Sequence, residues 1–365
     1  MFEVTLVAGA RPNFMKIAPM LRALRNTPFV PLLVHTGQHY DAGMSDIFFR
    51  QLGIPNPDVS LGVGSGRHGQ QTARVLESFE EYLLSRPQFP KGVIVVGDVN
   101  STVACSLAAC KLGIPVAHIE AGLRSFDRTM PEEINRIITD AISDLLFVSE
   151  PSGEDNLRRE GISEDKIIYV GNVMIDTLLA QLPAVERVDI RDRFGLEPSS
   201  YAVVTLHRPS NVDDAERLTA LIDFLLYASE RVRIVFAVHP RTRERLSSSG
   251  LINKLDNRIT LSEPLGYIEN LALMRQAKLV LTDSGGMQEE TTFLGIPCLT
   301  MRANTERPVT VSHGTNTIVG EHITRVYEIF NQVLTEPKRR HTNIPGWDGE
   351  ASQRIAATLC KRWLD

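Results

Sequence analysis

The sequence predicts an α/β protein made of two doubly wound parallel-sheet (Rossmann-like) domains facing across a cleft. Three observations carry this expectation. Apolar runs of strand length alternate with helical patterns through both halves of the chain, the rhythm of parallel sheets covered by crossover helices. Nearly every such run stops at a polar cluster, and ligands of these sheets sit outside the carboxyl ends of the strands. The chain has 365 residues, and single cores rarely grow past about 250–300 residues.

Taken in order, Phe2–Ala8 reads as a strand, and Gly9-Ala10-Arg11-Pro12-Asn13 turns it into a helix carrying Lys16. Pro12 suits a first helical turn. Strand Phe29–His35 ends in the polar cluster Thr36-Gly37-Gln38-His39-Tyr40. Helix Gln70–Leu84 leads to strand Gly92–Val96, which ends at Gly97-Asp98-Val99-Asn100. Strand Pro115–Ile119 delivers Glu120-Ala121-Gly122-Leu123-Arg124. Helix Glu132–Ser143 places Ile134, Ile137, Ile138, Ala141 and Ile142 on one face, expected to be its core face. Strands Leu145–Val148 and Ile167–Val170 close the first half. The second half offers strands Ala202–Leu206, Arg233–Val238, Ile259–Leu261, Lys278–Thr282 and Pro297–Met301. The alternation breaks at Leu178–Gly195, where a helix over Asp176–Leu182 meets Pro183. The expected domains are therefore 1–178 and 179–350, with a last helix over 351–365.

Composition narrows the function classes. Hydrophobic residues make up 43% and charged residues 23%, as in ordinary globular proteins. The net charge is -5 without a basic run, which gives no reason to expect a nucleic-acid partner. Cys105, Cys110, Cys298 and Cys360 show no CxxC spacing and read as reduced thiols of a cytoplasmic protein. Met1-Phe2-Glu3 enters a strand directly, leaving no room for a signal peptide. No apolar run reaches transmembrane length, so no membrane partner is expected. The scattered histidines and the lack of HExxH or DxD predict no metal.

The densest motif is Asp283-Ser284-Gly285-Gly286-Met287-Gln288-Glu289-Glu290. A buried strand runs into a glycine-rich helix start with Ser284 as N-cap, and the helix should reach about Leu294. Free backbone N–H groups at the positive end of a helix dipole form a phosphate site. The structural alternative is a capped helix whose glycines serve packing. Arg11 and Lys16 read as phosphate-neutralising cations or as solvated charges. Asp98 ends a strand, where partial desolvation favours a raised pKa and acid–base work, or else caps the helix at Ser101. Glu120 is a charge at strand depth. In Thr129-Met130-Pro131-Glu132, Glu132 fits a capping box, with Glu133 and Arg136 as surface charges or partners of the neighbouring loop. His207 and His239 each follow a strand and can donate to phosphate or move a proton. Gly64-Ser65-Gly66-Arg67-His68-Gly69 matches a dinucleotide fingerprint, but it is not the first βα turn. Asp98 lies 29 residues beyond Gly69, against the usual spacing of about 20. NAD is not the expected ligand.

Together these blocks resemble the non-hydrolysing UDP-N-acetylglucosamine 2-epimerase family over almost the full length. The resemblance rests on Gly9-Ala10-Arg11-Pro12 with Lys16, Thr36-Gly37-Gln38-His39, Gly97-Asp98, His118-Ile119-Glu120-Ala121-Gly122-Leu123-Arg124, Pro131-Glu132-Glu133-Ile134-Asn135-Arg136, Gly171-Asn172, Leu206-His207-Arg208, Asp283–Glu290 and Thr305-Glu306-Arg307-Pro308. It implies a GT-B-like fold whose last helix packs back on the first domain. It implies that Arg11, His207, Ser284, Gly285, Gly286 and Glu290 hold UDP, with Tyr267 against the uracil. Lys16, Gln38, Arg136, His239 and Arg307 complete the expected substrate contacts. Asp98, Glu120 and Glu132, with His207, are implied in catalysis, and a homodimer without cofactor is expected. Ala10-Arg11-Pro12-Asn13 departs from the Thr-Arg-Pro-Glu of many members. Ala10 and the Tyr40–Phe49 block also resemble 2-epimerases of UDP-2,3-diacetamido-glucuronic acid. A GT-B glycosyltransferase would bring an acceptor to the same nucleotide site. A non-catalytic nucleotide-sugar sensor would have no use for Asp98, Glu120 and Glu132 together.

The C2 proton of a UDP-hexosamine is not α to a carbonyl, so it is not acidic enough for direct removal. Oxidation at C3 with NAD would acidify it. Elimination of UDP across C1–C2 gives a glycal instead, and reprotonation on the other face followed by re-addition of UDP inverts C2. The second route needs stabilisation of the leaving group and acid–base groups for two faces, which the three carboxylates supply.

Overall fold

In the computed structural model the first sheet holds β1 (Phe2–Ala8), β2 (Phe29–His35), β3 (Val59–Ser60), β4 (Val93–Val96), β5 (Val116–Ala121), β6 (Leu145–Val148) and β7 (Ile167–Tyr169). Its spatial order is β3-β2-β1-β4-β5-β6-β7, and all its pairs are parallel. The second sheet holds β8 (Tyr201–Thr205), β9 (Arg233–Ala237), β10 (Thr260–Ser262), β11 (Leu279–Thr282), β12 (Cys298–Thr300) and β13 (Asn316–Ile318). Its order, β10-β9-β8-β11-β12-β13, repeats the same winding with parallel pairs. The structure describes residues 1–38, 42–255, 257–320, 322–335 and 343–364, with the side chains of residues 11 and 42–46 outside that description.

Both sheets reverse direction once, between β1 and β4 and between β8 and β11. The carboxyl ends of strands flanking such a switch point form the usual ligand crevice. In the first unit that position belongs to Gly9 and Gly97-Asp98, and in the second to His207 and Asp283.

Each unit has its own core. In the first, Val7, Val34, Val93, Val95 and Val116 pack under Val75, Phe79, Ala104 and Ala108 from two helices. In the second, Ala202, Val204, Ile234 and Phe236 pack under Leu221, Phe224, Leu225, Val326 and Phe330. The units comprise Met1–Ala180 with Ile344–Asp365, and Gln181–Asn343. Their boundary falls inside helix Val173–Val185, which runs past Pro183. The last helix, Ala351–Trp363, contacts helix Arg11–Leu24, and the Trp363 indole stands edge-on to Phe29 at 6.2 Å.

Three local readings need correction. Strand β13 was not anticipated, because Asn316-Thr317-Ile318 offers no apolar run. Pro183 lies within its helix rather than just beyond it. Helix Pro131–Ile142 is turned over: Glu133, Asn135, Arg136, Thr139 and Asp140 are buried, while Ile134 and Ile138 are 38% and 39% exposed. Its polar side faces inward because it supplies charged partners to the neighbouring strand ends, described next.

Candidate active site

β4 ends at Val96, and Gly97 turns the chain with φ +66°, a conformation glycine adopts without the Cβ penalty. A Cβ at Gly97 would lie 3.0 Å from the Lys16 ammonium and 3.4 Å from Glu120 Oε2. The Asp98 turn and the Glu120 carboxylate are thus neighbours at the same strand ends. Asp98, 27% exposed, does not cap the helix at Ser101. That helix, Asn100–Lys111, has Val99 at its N-cap without a side-chain bond, and the Asp98 carboxylate pairs with the buried Arg136. Arg136 Nη2 also meets Glu133 at 2.6 Å.

Glu120 lies within β5, which runs two residues further than its apolar run. The register to β6 shifts between Ile119 and Ala121, and Glu120 takes φ +73°. A side chain with Cβ there is strained by order 1 kcal/mol. Its carboxylate pairs with Lys16, and both are buried. Lys16 therefore sits on a carboxylate rather than in solvent.

Glu132 makes no capping box. Met130 is the N-cap without a side-chain bond, and Thr129 N and Oγ1 bond Asp127 instead. Glu132 occupies the second helical position and is only half-buried. Its neighbour Glu133 takes the position that reaches back, accepting from Ser125 N at 3.0 Å and Phe126 N at 2.9 Å. Glu133 and Arg136 are thus partners of the neighbouring loop and not surface charges. Burial works to raise the Glu133 pKa, but these N–H groups and Arg136 prevail and hold it below its ordinary value.

Gln38 is buried and structural in its contacts: Oε1 accepts from Ser101 N at 3.0 Å, satisfying an otherwise free helix-start donor. His39 and Tyr40 lie outside the described residues, as does the Arg11 side chain. The GxGxxG run follows β3 and packs its first glycine on the turn beyond β2, Gly64 N donating to the Gly37 carbonyl at 3.0 Å, and its helix already begins at His68.

In the second unit Asp283 is fully buried behind His207. It accepts from His207 N at 2.9 Å, Arg208 N at 2.9 Å and Asn211 Nδ2 at 3.1 Å, and meets His207 Nδ1 at 2.8 Å. Burial opposes its charge, yet His207 and the two backbone N–H groups lower its pKa to about 2. An ionised carboxylate on Nδ1 fixes the proton there, leaving Nε2 of a ring that is 41% exposed to face a ligand. The His239 ring lies 5.7 Å from that of His207, and its Nδ1 accepts from Arg241 N, capping helix Pro240–Ser248.

Helix Gly285–Leu294 starts directly after β11. Ser284 is its N-cap by position, but its side chain makes no cap bond. A Cβ at Gly285 would lie 2.7 Å from Arg307 Nη1 and 2.9 Å from Glu306 Oε1, so a side chain here would have to displace that ion pair. Arg307 is buried between Glu289, at 3.0 Å from Nε, and Glu306. Burial pushes the Glu290 carboxyl up to about 8; the Tyr267 hydroxyl works against that shift and neighbouring Glu289 with it. Tyr267 is itself buried, with its pKa raised by burial and by Glu290. Gly286 follows in the first turn of the same helix.

Sequence reasoning passed over Asp140 and the Arg302–Glu306 pair at 2.7 Å. Asp140 meets His118 across 22 residues of sequence, a pairing that periodicity does not reveal.

Comparison with known proteins agrees with this layout. A family model described as UDP-N-acetylglucosamine 2-epimerase matches residues 22–360. The chain is 43% identical over 364 residues to the UDP-N-acetylglucosamine 2-epimerase of Methanocaldococcus jannaschii, covering 98% of each. It is 42% identical over 365 residues to the UDP-2,3-diacetamido-2,3-dideoxy-D-glucuronate 2-epimerase of Pseudomonas aeruginosa, covering 98% of this chain and 99% of the other. The crystal structure of the M. jannaschii UDP-GlcNAc 2-epimerase in complex with UDP-GlcNAc and UDP is similar with a TM-score of 0.91 at 42% identity, covering 98% of this chain and 99% of that one.

Proposed function

The chain belongs to the UDP-N-acetylglucosamine 2-epimerase family, enzymes of GT-B-like fold, and we propose that it interconverts UDP-GlcNAc and UDP-ManNAc by eliminating and re-adding UDP. One observation carries the division of labour: carboxylates cluster at the switch point of the first unit, whereas anion donors cluster at that of the second. Asp98 and Glu120 lie on adjacent strand ends, each beside a buried cation. His207, in its imidazolium form, and the start of helix Gly285–Leu294 offer N–H donors to a diphosphate.

In this reading a carboxylate among Asp98, Glu120 and Glu132 removes the C2 proton as the C1–O bond to UDP breaks. The electron pair forms the C1–C2 double bond of a 2-acetamidoglucal. His207, Arg307 and the backbone N–H groups from Ser284 to Gly286 stabilise the leaving UDP. Arg11 at the start of its helix is expected to join them. A second carboxylate protonates C2 on the opposite face, and the UDP oxygen adds back to C1. Lys16 and Arg136 hold the Glu120 and Asp98 carboxylates in place. No cofactor takes part in these steps.

A second substrate is favoured by one observation, the 42% identity to the P. aeruginosa 2-epimerase, almost equal to the 43% to the M. jannaschii enzyme. Product analysis by proton NMR with each UDP-sugar decides between them. Formation of the 2-epimer from UDP-GlcNAc at the higher kcat/KM supports the first reading; turnover of only the diacetamido-glucuronate replaces it. A requirement for an added acceptor would point to glycosyl transfer instead.

We further infer a cytoplasmic homodimer. No helix among the described residues is long and apolar enough to cross a membrane. The outward face of helix Pro131–Ile142 carries Pro131, Ile134, Ile138 and Ala141 without a charge, so a second copy of the same face meets it with no like-charge penalty. Sedimentation should give twice the chain mass, and Ile134→Glu should shift it towards one.

A further inference from the structure

Resting on the epimerase reading, we propose that His118 and Asp140 are positioning residues for the reaction: the ring, hydrogen-bonded through both nitrogens, holds the Asp98 and Glu120 turns in register. His118 lies on β5, two residues before Glu120, and is fully buried. Its Nε2 donates to the Gly97 carbonyl at 2.8 Å, the residue before Asp98. Its Nδ1 donates to Asp140 Oδ1 at 2.6 Å. The other oxygen of Asp140 accepts the Gly122 N–H at 3.0 Å, two residues after Glu120. One carboxylate thus grips the chain on either side of Glu120, where the backbone stands at φ +73° and the strand register shifts. A conformation of that kind persists only when its surroundings over-determine it.

Arg124 braces the pair from behind. It meets Asp140 Oδ2 at 2.7 Å and grips Glu160 at 2.8 and 2.6 Å. Burial works to raise the Asp140 pKa, but His118 and Arg124 outweigh it and keep the carboxyl below its ordinary value. An ionised carboxylate and a backbone carbonyl can only accept, so both His118 nitrogens carry hydrogen. Asp140 and His118 are closed to solvent and act through the two turns rather than on the sugar.

The test uses the full chain. Asp140→Ala removes the acceptor from both His118 and Gly122, so both grips are lost. Turnover should fall about 100-fold, the usual cost of a misplacement near 1 Å. The calorimetric Kd for UDP should stay within about twofold, since the proposed UDP groups lie in the second unit; a change of that size is under 0.5 kcal/mol. His118→Gln should show the same split. In wild-type protein labelled at histidine nitrogen, the His118 ring should show two N–H groups. Folded Asp140→Ala with kcat within threefold of wild type, or a His118 ring with a single N–H, overturns the proposal. The ring spectrum needs no variant, so a variant that fails to fold leaves the decision to it. Wild-type protein that epimerises no UDP-sugar would instead remove the functional reading, a separate outcome.

Discussion

The switch points of the two sheets share a winding and hold opposite chemistry. In the first unit, carboxylates at the strand ends face buried cations: Glu120 with Lys16, Asp98 with Arg136. In the second, the buried Asp283 stands behind the strand end and holds the backbone and ring of His207, while Glu289 and Glu306 hold the buried Arg307. The difference teaches that fold alone does not assign the chemistry. The pairs with one partly exposed partner show it: Asp98 stands over the buried Arg136, and His207 over the buried Asp283. A buried cation beneath an acid leaves a group that can exchange protons, whereas a buried acid beneath a donor leaves a group that can hold an anion.

The sharpest way to break this comparison is to neutralise the acids of the first unit. Glu120→Gln and Asp98→Asn should each lower kcat by about 10²–10⁴-fold, the span of general acid–base groups, with KM little changed. Steady-state kinetics checks this. Glu132→Gln should lower turnover as well, and since Glu132 makes no capping box its melting temperature should be unchanged. Near-normal turnover of that variant would confine the proton chemistry to Asp98 and Glu120.

Next in size is the buried acid of the second unit. Asp283→Ala leaves His207 N, Arg208 N and Asn211 Nδ2 without their acceptor. Denaturant unfolding should show a loss of about 3 kcal/mol, typical when one member of a buried pair is removed. Because the folded pKa of about 2 lies below the reference 3.8, this contribution is full above pH 3.8. It should be lost as pH falls through 2. A smaller effect is expected at the helix start. Gly285→Val collides with Arg307 and Glu306 and should weaken UDP binding by about 10- to 100-fold in calorimetry, the worth of one charge-assisted hydrogen bond. Unchanged affinity would remove this helix from the nucleotide site.

The smallest effect concerns Glu290. Its folded pKa of about 8 lies above the reference 4.5, so the folded state binds the extra proton and stability falls as pH rises between those values. Glu290→Gln removes the titrating group. Its melting temperature relative to wild type should therefore climb from pH 5 to pH 8 and level off above; a gap that is flat across that window contradicts the assignment.

Much of this was legible in the sequence, and the reason is periodicity. The strands ending at Ala8, His35, Val96, Val148 and Thr282 are apolar runs cut by polar residues, and that pattern locates strand ends directly. Asp98 and the Ser284–Gly286 turn follow two of those ends, and Glu120 and His207 follow the apolar runs that stop at Ile119 and Leu206. Helix Pro131–Ile142 misled for the same reason. Its amphipathic pattern is strong, yet the buried side is the polar one, since Arg136 and Asp140 meet Asp98 and His118 on other elements and Glu133 is held by Arg136 and the preceding loop. Periodicity assigns a face to the core only where burial is apolar. Lys16 read as a phosphate cation because nothing in its own neighbourhood names Glu120, 104 residues away, as its partner.

The central claim, that the first unit moves the C2 proton while UDP leaves and returns, is tested most directly by incubating the purified protein with UDP-GlcNAc in D2O without added NAD and following the sugar by proton NMR. The account predicts that the 2-epimer forms with deuterium at C2, and that deuterium also enters recovered UDP-GlcNAc as the reaction reverses. Epimer that keeps its C2 proton, or forms only once NAD is supplied, would contradict it.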